Sequence, residues 1–260
     1  MITIAIINEA TVVADADMPA VVAALQKQVE EHFWPAWGLD AELDLVAKGT
    51  AAPPGAWQLV ILDDSDQADA LGYHETTEAG LPLAKVFART TIEDGGSWTV
   101  AASHELLEML ADPEINLSVF VQDDETTGKL YAYEVCDPVE EATYLIDGIQ
   151  VSDFVLPSYF ERGTVGATPA APFDFLKRLV RPLPALLPGG YLSVFQVEEG
   201  GGWTQIADMR KRHARMVPPD GSRRHRRMLP KSGWRRSAVI SGRTVAPAAR
   251  GMLPDAAASR

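Results

Sequence analysis

Residues 103–113 have the sequence SHELLEMLADP, and this stretch determines which fold and which chemistry to expect from the chain. The apolar residues from Trp98 to Leu110 have helical spacing, and four residues advance a helix by about 400°. His104 and Glu108 therefore lie on one face, one turn apart, where an imidazole and a carboxylate can bind one zinc ion. Glu105 lies one position further round, where it could act as general base toward a water on that ion.

The residues that flank this HExxE motif are apolar or small, which indicates that the helix is buried. The motif alone has low specificity, since solvent-exposed charged helices produce it by chance. Burial changes this, because a buried His and two buried Glu without a partner would be costly and a cation is the simplest partner. Asp112 precedes Pro113, and a residue before proline disfavours helical geometry, so we expect the helix to end there.

Two protein ligands are too few for a catalytic zinc site, which usually has three and a water. Glu134 and Asp137 follow Glu108 by 26 and 29 residues, which is far enough for the chain to return to the helix. We expect one of these acids to bind the metal while the other orients His104. Asp112 is a third option, ranked lower because on a continuing helix it would lie about 12 Å along the axis from His104.

These motifs resemble a family of bacterial and phage-associated proteins related to zinc-dependent metallopeptidases. The matching segments, within residues 1–210, are Leu71–His74, Gly80–Phe87, Ser103–Pro113 and Glu134–Asp137. The resemblance implies a zincin-like fold and a peptidase or a former peptidase. Glu108 departs from the usual pattern, because most such enzymes carry His there, and a carboxylate makes the site harder and more anionic.

The predicted fold class is α+β and zincin-like, with a mixed N-terminal sheet, a backing helix and an active-site helix, and a smaller β-containing C-terminal part. Apolar runs predict strands at 2–7, 41–47, 57–62 and 83–88, and helical spacing predicts a helix over 18–33. By analogy with zincins, the strand at 83–88 forms the edge of the cleft, where substrate pairs in extended form. His74 lies upstream of that strand and could approach the metal or the substrate.

Three segments are expected along the chain. Residues 1–112 form an N-terminal zincin-like subdomain that ends in the HExxE helix, and residues 113–209 form a C-terminal subdomain with hairpins and a Pro/Gly-rich segment. Within the latter we expect a loop over 114–128, a hairpin around Asp147-Gly148, and a second hairpin from 190–197 and 203–207. Residues 210–260 are predicted to be a disordered basic tail.

Charge separates this tail from the rest of the chain. Residues 210–260 hold 14 of the 23 Lys and Arg and only two acids, so residues 1–209 carry 9 basic and 34 acidic groups. The acidic part would repel nucleic acid or an anionic membrane, whereas the tail could bind an acidic partner, nucleic acid or its own body.

Composition limits the location of the protein. An apolar content of 47% suffices for a core, and no apolar run approaches the ~18 residues of a membrane span. The N-terminus lacks the features of a signal peptide, and one cysteine excludes an internal disulfide. We therefore expect a cytoplasmic protein that does not associate with a membrane, and the resemblance to phage-associated proteins implies phage association as an alternative.

Two functions are consistent with these motifs and this charge distribution. The first is a zinc-dependent metallopeptidase or amide hydrolase that acts on a peptide or protein substrate. In it His104, Glu108 and an acid of the Glu134/Asp137 pair bind Zn²⁺, and Glu105 is the base. The alternative is a non-catalytic structural or binding protein, associated with phage or prophage, that retains the scaffold and works through its basic tail.

Overall fold

The computed structural model describes residues 2–66, 70–123, 127–161, 172–197 and 202–207. The predicted tail over 210–260 lies outside the described residues, so its disorder stays a prediction. Within the described part the protein is a mixed α+β fold, as expected. None of the described helices has both the length and the apolarity needed to span a membrane.

In the N-terminal part, five of the described strands form one mixed sheet in the order β2-β1-β3-β5-β4. All neighbours are parallel except β4, which runs antiparallel to β5 and forms one edge of the sheet. The interior strands are apolar because helices cover a parallel sheet, and Ile4, Ala5 and Ile6 are completely buried. The strands are β1 (Ile2–Asn8), β2 (Ala41–Val46), β3 (Trp57–Leu62), β4 (Gly72–Thr76) and β5 (Pro82–Phe87).

The predicted helix over 18–33 is present, but its second part has π-helical rather than α-helical hydrogen bonding. Helix α1 (Met18–Lys27) continues into a π-helix (Gln28–Phe33) and then α2 (Trp34–Trp37). Gly38, with φ +67°, ends α2 in the left-handed conformation that glycine adopts most readily. After β5 come α3 (Ala88–Glu93) and α4 (Trp98–Ala111).

Helix α4 carries the HExxE motif and is the most enclosed helix described, with 11 of its 14 residues buried. It packs against β4, β5 and β9 (Ile149–Ser152). Its end at Asp112, before Pro113, confirms the predicted stop.

The chain after α4 is mainly antiparallel. Four of the described strands form a sheet in the order β11-β10-β7-β6, and β8 pairs with β9 in the hairpin predicted at Asp147-Gly148. Both turn residues have positive φ, as a two-residue hairpin turn requires. The other elements are β6 (Ser118–Gln122), β7 (Gly128–Ala132), a 3₁₀-helix (Asp137–Val139), β8 (Thr143–Ile146), α5 (Pro157–Phe160), β10 (Tyr191–Gln196) and β11 (Trp203–Ala207).

Two predictions about strands were wrong. The strand at 83–88 was expected at the sheet edge, but β5 lies between β3 and β4, and β4 is the edge strand. Strand β4 escaped prediction because its sequence, GYHET, lacks apolar alternation, and its order comes from pairing with β5. Strand β6 lies inside the predicted 114–128 loop, although Val119, Phe120 and Val121 favour a strand, and pairing with β7 supplies its backbone hydrogen bonds.

One cluster of buried apolar residues extends across residue 112, from Leu59 and Val86 in the first sheet to Val135 and Phe154 beyond α4. Apolar burial is therefore continuous between the two predicted subdomains. Their boundaries at 112 and 209 stay a prediction.

A buried glutamine connects the π-helix to α4. The Gln28 side chain accepts a hydrogen bond from Ser103 Oγ at 2.7 Å and donates to Ser152 O at 2.9 Å and Tyr144 Oη at 3.1 Å. Ser152 N–H in turn donates to Ser103 Oγ at 3.0 Å. Because Ser103 directly precedes His104, this network fixes the turn of α4 that carries the motif.

We expect Gln28→Ala to lower the free energy of unfolding by about 1–3 kcal/mol, because it leaves buried polar groups without their partner. Chemical denaturation measures the change. Gln150→Ala removes an exposed glutamine and serves as control, with an expected change within about 0.5 kcal/mol. Equal effects of the two substitutions would contradict the role of Gln28.

Two completely buried carboxyl groups, Asp153 and Asp174, meet where residues 153–155 pack against 173–176. Burial, reinforced by the Asp174 carboxyl beside it, raises the pKa of Asp153 to about 8. Between about pH 4 and pH 8 the folded protein therefore holds a proton that the unfolded chain has released.

Stability should consequently fall as pH rises through this window, and Asp153→Asn should remove that part of the slope. Thermal or chemical unfolding at several pH values measures it. Asp44→Asn, at an exposed position of β2, should leave the slope unchanged. An unaltered slope in Asp153→Asn would show that the pair does not hold the proton.

Candidate metal centre

Helix α4 brings three ionisable side chains into the interior. His104 is 5% exposed, Glu105 6% and Glu108 3%, so all three are removed from bulk water. Their spacing on the helix directs them toward the same region, and the network around Ser103 holds this turn in place. These are the residues that the motif predicted as ligands and base.

The segment after β7 returns to α4, as the sequence predicts. Glu134 and Asp137 are 1% and 0% exposed, and together with Glu108 they form a group whose ligand atoms lie within 4.8 Å of one another. The Cys136 N–H donates to Glu108 Oε1 at 3.3 Å, which joins the returning segment to the helix.

Asp137 is held from behind by the C-terminal sheet. The Tyr191 hydroxyl donates a hydrogen bond to Asp137 Oδ1. The turn before β10 packs closely on the 3₁₀-helix, where a Cβ at Gly190 would lie 2.2 Å from Pro138 O. Only glycine fits there, so this contact sets the position of Asp137 relative to α4.

His104 is the centre of the arrangement. Its Nε2 lies 3.3 Å from Glu108 Oε1 and 3.2 Å from Asp137 Oδ1, and it makes no hydrogen bond of good geometry with any residue that the structure describes. Two atoms bound to one tetrahedral zinc at about 2.0–2.1 Å lie about 3.3 Å apart. Both separations from Nε2 therefore fit a pair of ligands on one ion, and the ligand atoms of Glu108 and Asp137 lie within 4.8 Å of each other.

The other nitrogen of His104 faces a carboxylate that the sequence did not single out. Nδ1 lies 3.2 Å from Glu140 Oε2, and the Glu140 side chain is 33% exposed. A carboxylate on the second ring nitrogen fixes the orientation and tautomer of a metal-binding imidazole. We expected this role for one of Glu134 and Asp137; Glu140 contacts Nδ1, whereas Asp137 contacts Nε2 of the same ring.

The three carboxylates close to His104 determine the pKa of its imidazole. Burial by itself lowers the pKa of His104, but the nearby carboxylates of Glu108, Glu140 and Asp137 outweigh it and hold the pKa well above its ordinary value. Burial raises the pKa of the Cys136 thiol, so the thiol stays protonated at neutral pH. The site thus attracts positive charge to the position of His104.

Asp112, the lower-ranked third ligand, lies in a different environment. Its Oδ1 accepts from Asn116 N at 3.0 Å and its Oδ2 from Leu117 N at 2.9 Å. These bonds hold the turn that follows α4. Among the described residues Asp112 belongs to none of the groups that could bind an ion.

His74 reaches the site from the edge strand β4. It is 1% exposed, and its Nδ1 lies 3.1 Å from Glu105 Oε2 and 4.0 Å from Glu108 Oε2. Gly72 makes this approach possible, because a Cβ there would lie 2.8 Å from Glu105 Cγ and 3.0 Å from Lys85 O. The sequence signal was the segment LGYH, whose glycine and histidine are two residues apart on one face of a strand.

Comparisons with protein-family models, with curated proteins and with solved structures find no match to this chain. The resemblance to zinc-dependent metallopeptidases therefore stays a prediction from the motifs. Buried His, Glu and Asp groups that could hold a metal ion are present, and their distances, burial and charge support a metal centre.

We expect Gly72→Ala to lower the free energy of unfolding by about 1–3 kcal/mol, because the added methyl group overlaps Glu105 and the backbone of β5. Gly202→Ala is the matched control, since a Cβ there meets no atom within 4 Å. Denaturant titrations of both variants measure the difference. A Gly72→Ala protein as stable as the control would show that Glu105 can move away from β4.

Proposed function

We propose that this chain is a zinc-dependent metallopeptidase or amide hydrolase with a zincin-like fold. The observation that carries the proposal is the environment of His104 Nε2. This buried nitrogen makes no hydrogen bond of good geometry with any described residue, yet it lies within 3.3 Å of two carboxylates. Such an atom gains most from a cation placed between the three groups.

Zinc suits the donor set. His104, Glu108 and Asp137 would supply one imidazole nitrogen and two carboxylate oxygens, and Glu134 lies in one group with Glu108 and Asp137. Zinc accepts nitrogen and oxygen ligands in a tetrahedral site and leaves a fourth position open when three protein ligands bind. Glu140 would hold His104 in the orientation that points Nε2 at the ion.

The fold supports a peptide substrate. Strand β4 pairs with β5 on one side and, within the described residues, with no strand on the other. An extended peptide could add to this edge by main-chain hydrogen bonds, as in β-strand addition. It would then pass the side of β4 that carries His74, next to Glu105. We therefore propose that β4, and not the strand predicted at 83–88, is the edge strand that pairs with the substrate.

The proposed reaction is hydrolysis of an amide bond. A zinc ion, when bound, would polarise the carbonyl and lower the pKa of the attacking water. A carboxylate oxygen of Glu105 takes a proton from this water while the water oxygen attacks the carbonyl carbon. Glu105 then gives the proton to the amine nitrogen as the carbon–nitrogen bond breaks, so the residue ends the cycle unchanged.

The nearby residues of the chain serve this proton transfer. His74 Nδ1 at 3.1 Å holds Oε2 of Glu105, and Gly72 lets the carboxylate lie directly against β4. The low exposure of Glu105 excludes bulk water from the proton path.

We expect Glu105→Gln to keep the zinc bound at His104 and to lower hydrolysis by about 10²–10⁴-fold, because an amide retains the shape of the carboxylate but accepts no proton. Elemental analysis gives the metal content, and a broad peptide library supplies the first substrate. Glu93→Gln, at an exposed position of α3, is the control and should leave both quantities unchanged.

Hydrolysis at the wild-type rate in zinc-loaded Glu105→Gln would exclude Glu105 as base. A wild-type protein that holds zinc and cleaves no member of the library would favour the non-catalytic scaffold instead. In that case salt-dependent binding of nucleic acid to the full chain tests the function of the basic tail.

A further inference from the structure

Glu108 divides its two carboxylate oxygens between two groups of ligands. Oε1 lies 3.3 Å from His104 Nε2, on the side of Asp137. Oε2 lies 4.0 Å from His74 Nδ1, on the side of Glu105. The two imidazoles therefore approach the same side chain at different oxygens.

From this arrangement we propose that the protein has a second divalent-cation site, formed by His74, Glu105 and Glu108. Glu108 bridges it to the first site. The inference rests on the proposed metal centre at His104, and it adds a regulatory ion to that centre.

The two separations that involve His74 fit a shared ion. The ligand atoms of His74, Glu105 and Glu108 all lie within 4.8 Å of one another, and His74 Nδ1 is 3.1 Å from Glu105 Oε2. Two atoms bound at about 2.0–2.2 Å to one ion lie at most about 4.4 Å apart. The closest approaches of His74 to both carboxylates, 3.1 and 4.0 Å, fall below that limit.

The negative charge of the buried carboxylates is a second argument for a second ion, separate from the distances. Glu105, Glu108, Glu134 and Asp137 are each at most 6% exposed, and Glu140 adds a fifth carboxylate at the rim. One divalent cation offsets two of these charges, whereas two cations offset four. Because uncompensated buried charge costs several kcal/mol per ion, the second cation relieves a repulsion that the first leaves in place.

Glutamate at position 108 is the residue that makes sharing feasible. A neutral imidazole offers one lone pair to metals and keeps a proton on its other nitrogen. A carboxylate offers two oxygens that can each bind a different ion. The departure of Glu108 from the HExxH pattern is thus the feature that places two ion positions side by side.

Occupancy of the second site affects Glu105 directly. A carboxylate that binds a cation is a weaker proton acceptor, so a second ion would occupy the proposed general base. The first equivalent of zinc should therefore activate hydrolysis, and the second should slow it.

The test is the stoichiometry of the metal-free full chain, titrated with Zn²⁺ and measured by equilibrium dialysis and elemental analysis. We expect two equivalents for the wild type and one for His74→Ala, whose affinity for a second ion should fall more than about 100-fold. His32→Ala removes an imidazole that stacks on Phe175, outside the site, and should keep two equivalents. One equivalent in the wild type, or two in His74→Ala, would overturn the proposal.

A spectroscopic measurement keeps the proposal testable if His74→Ala does not fold. The wild type loaded with two equivalents of Mn²⁺ should give the exchange-coupled electron paramagnetic resonance spectrum of two ions that share a carboxylate. The spectrum of isolated Mn²⁺ ions would refute the bridge.

The outcomes separate this inference from the proposed function. One equivalent of zinc, with hydrolysis that Glu105→Gln abolishes, supports the enzyme and refutes the second site. Binding of two equivalents, without hydrolysis even when only one equivalent has been added, supports the second site and refutes the enzyme.

Discussion

Repulsion among buried carboxylates is the constraint on which the rest of this structure depends. Glu105, Glu134 and Asp137 lie near Glu108, all four have almost no access to water, and burial of a carboxylate without compensation costs free energy. Such a cluster persists only where the surrounding fold holds it and positive charge offsets it. The nearby carboxylates raise the pKa of His104 despite its burial, so a positive charge on this imidazole offsets part of their repulsion.

Close packing at two glycines and a buried side-chain hydrogen bond hold the cluster together. Gly72 lets Glu105 lie against the edge strand, and Gly190 lets the turn before β10 press on the segment of Asp137. Gln28 ties Ser103 to the π-helix from the opposite end of the chain. These contacts use residues distant in sequence, so the ligand geometry depends on the complete fold rather than on α4 alone.

The site explains the unusual form of the motif. In an HExxH helix the two histidines each present one nitrogen to a single ion, whereas Glu108 presents oxygens to both His104 and His74. The edge strand, the helix and the returning segment thereby converge on one carboxylate. In the proposed function, substrate binding along β4, proton transfer at Glu105 and metal binding at His104 are coupled through this residue.

The sequence by itself determined the helix over 98–111, its end before Pro113, the α+β class, and the return of Glu134 and Asp137 to the motif. Periodicity and local chemistry encode the helix and its end, because these depend on residues close along the chain, whereas the return of Glu134 and Asp137 was inferred from the number of ligands that a metal needs. Only the tertiary structure decided that β4 is the edge strand, that His74 reaches Glu105, and that Glu140 contacts His104 Nδ1. Those contacts depend on strand pairing and on close packing at glycines. Neither produces a hydrophobic periodicity in the sequence, so neither could be predicted from it.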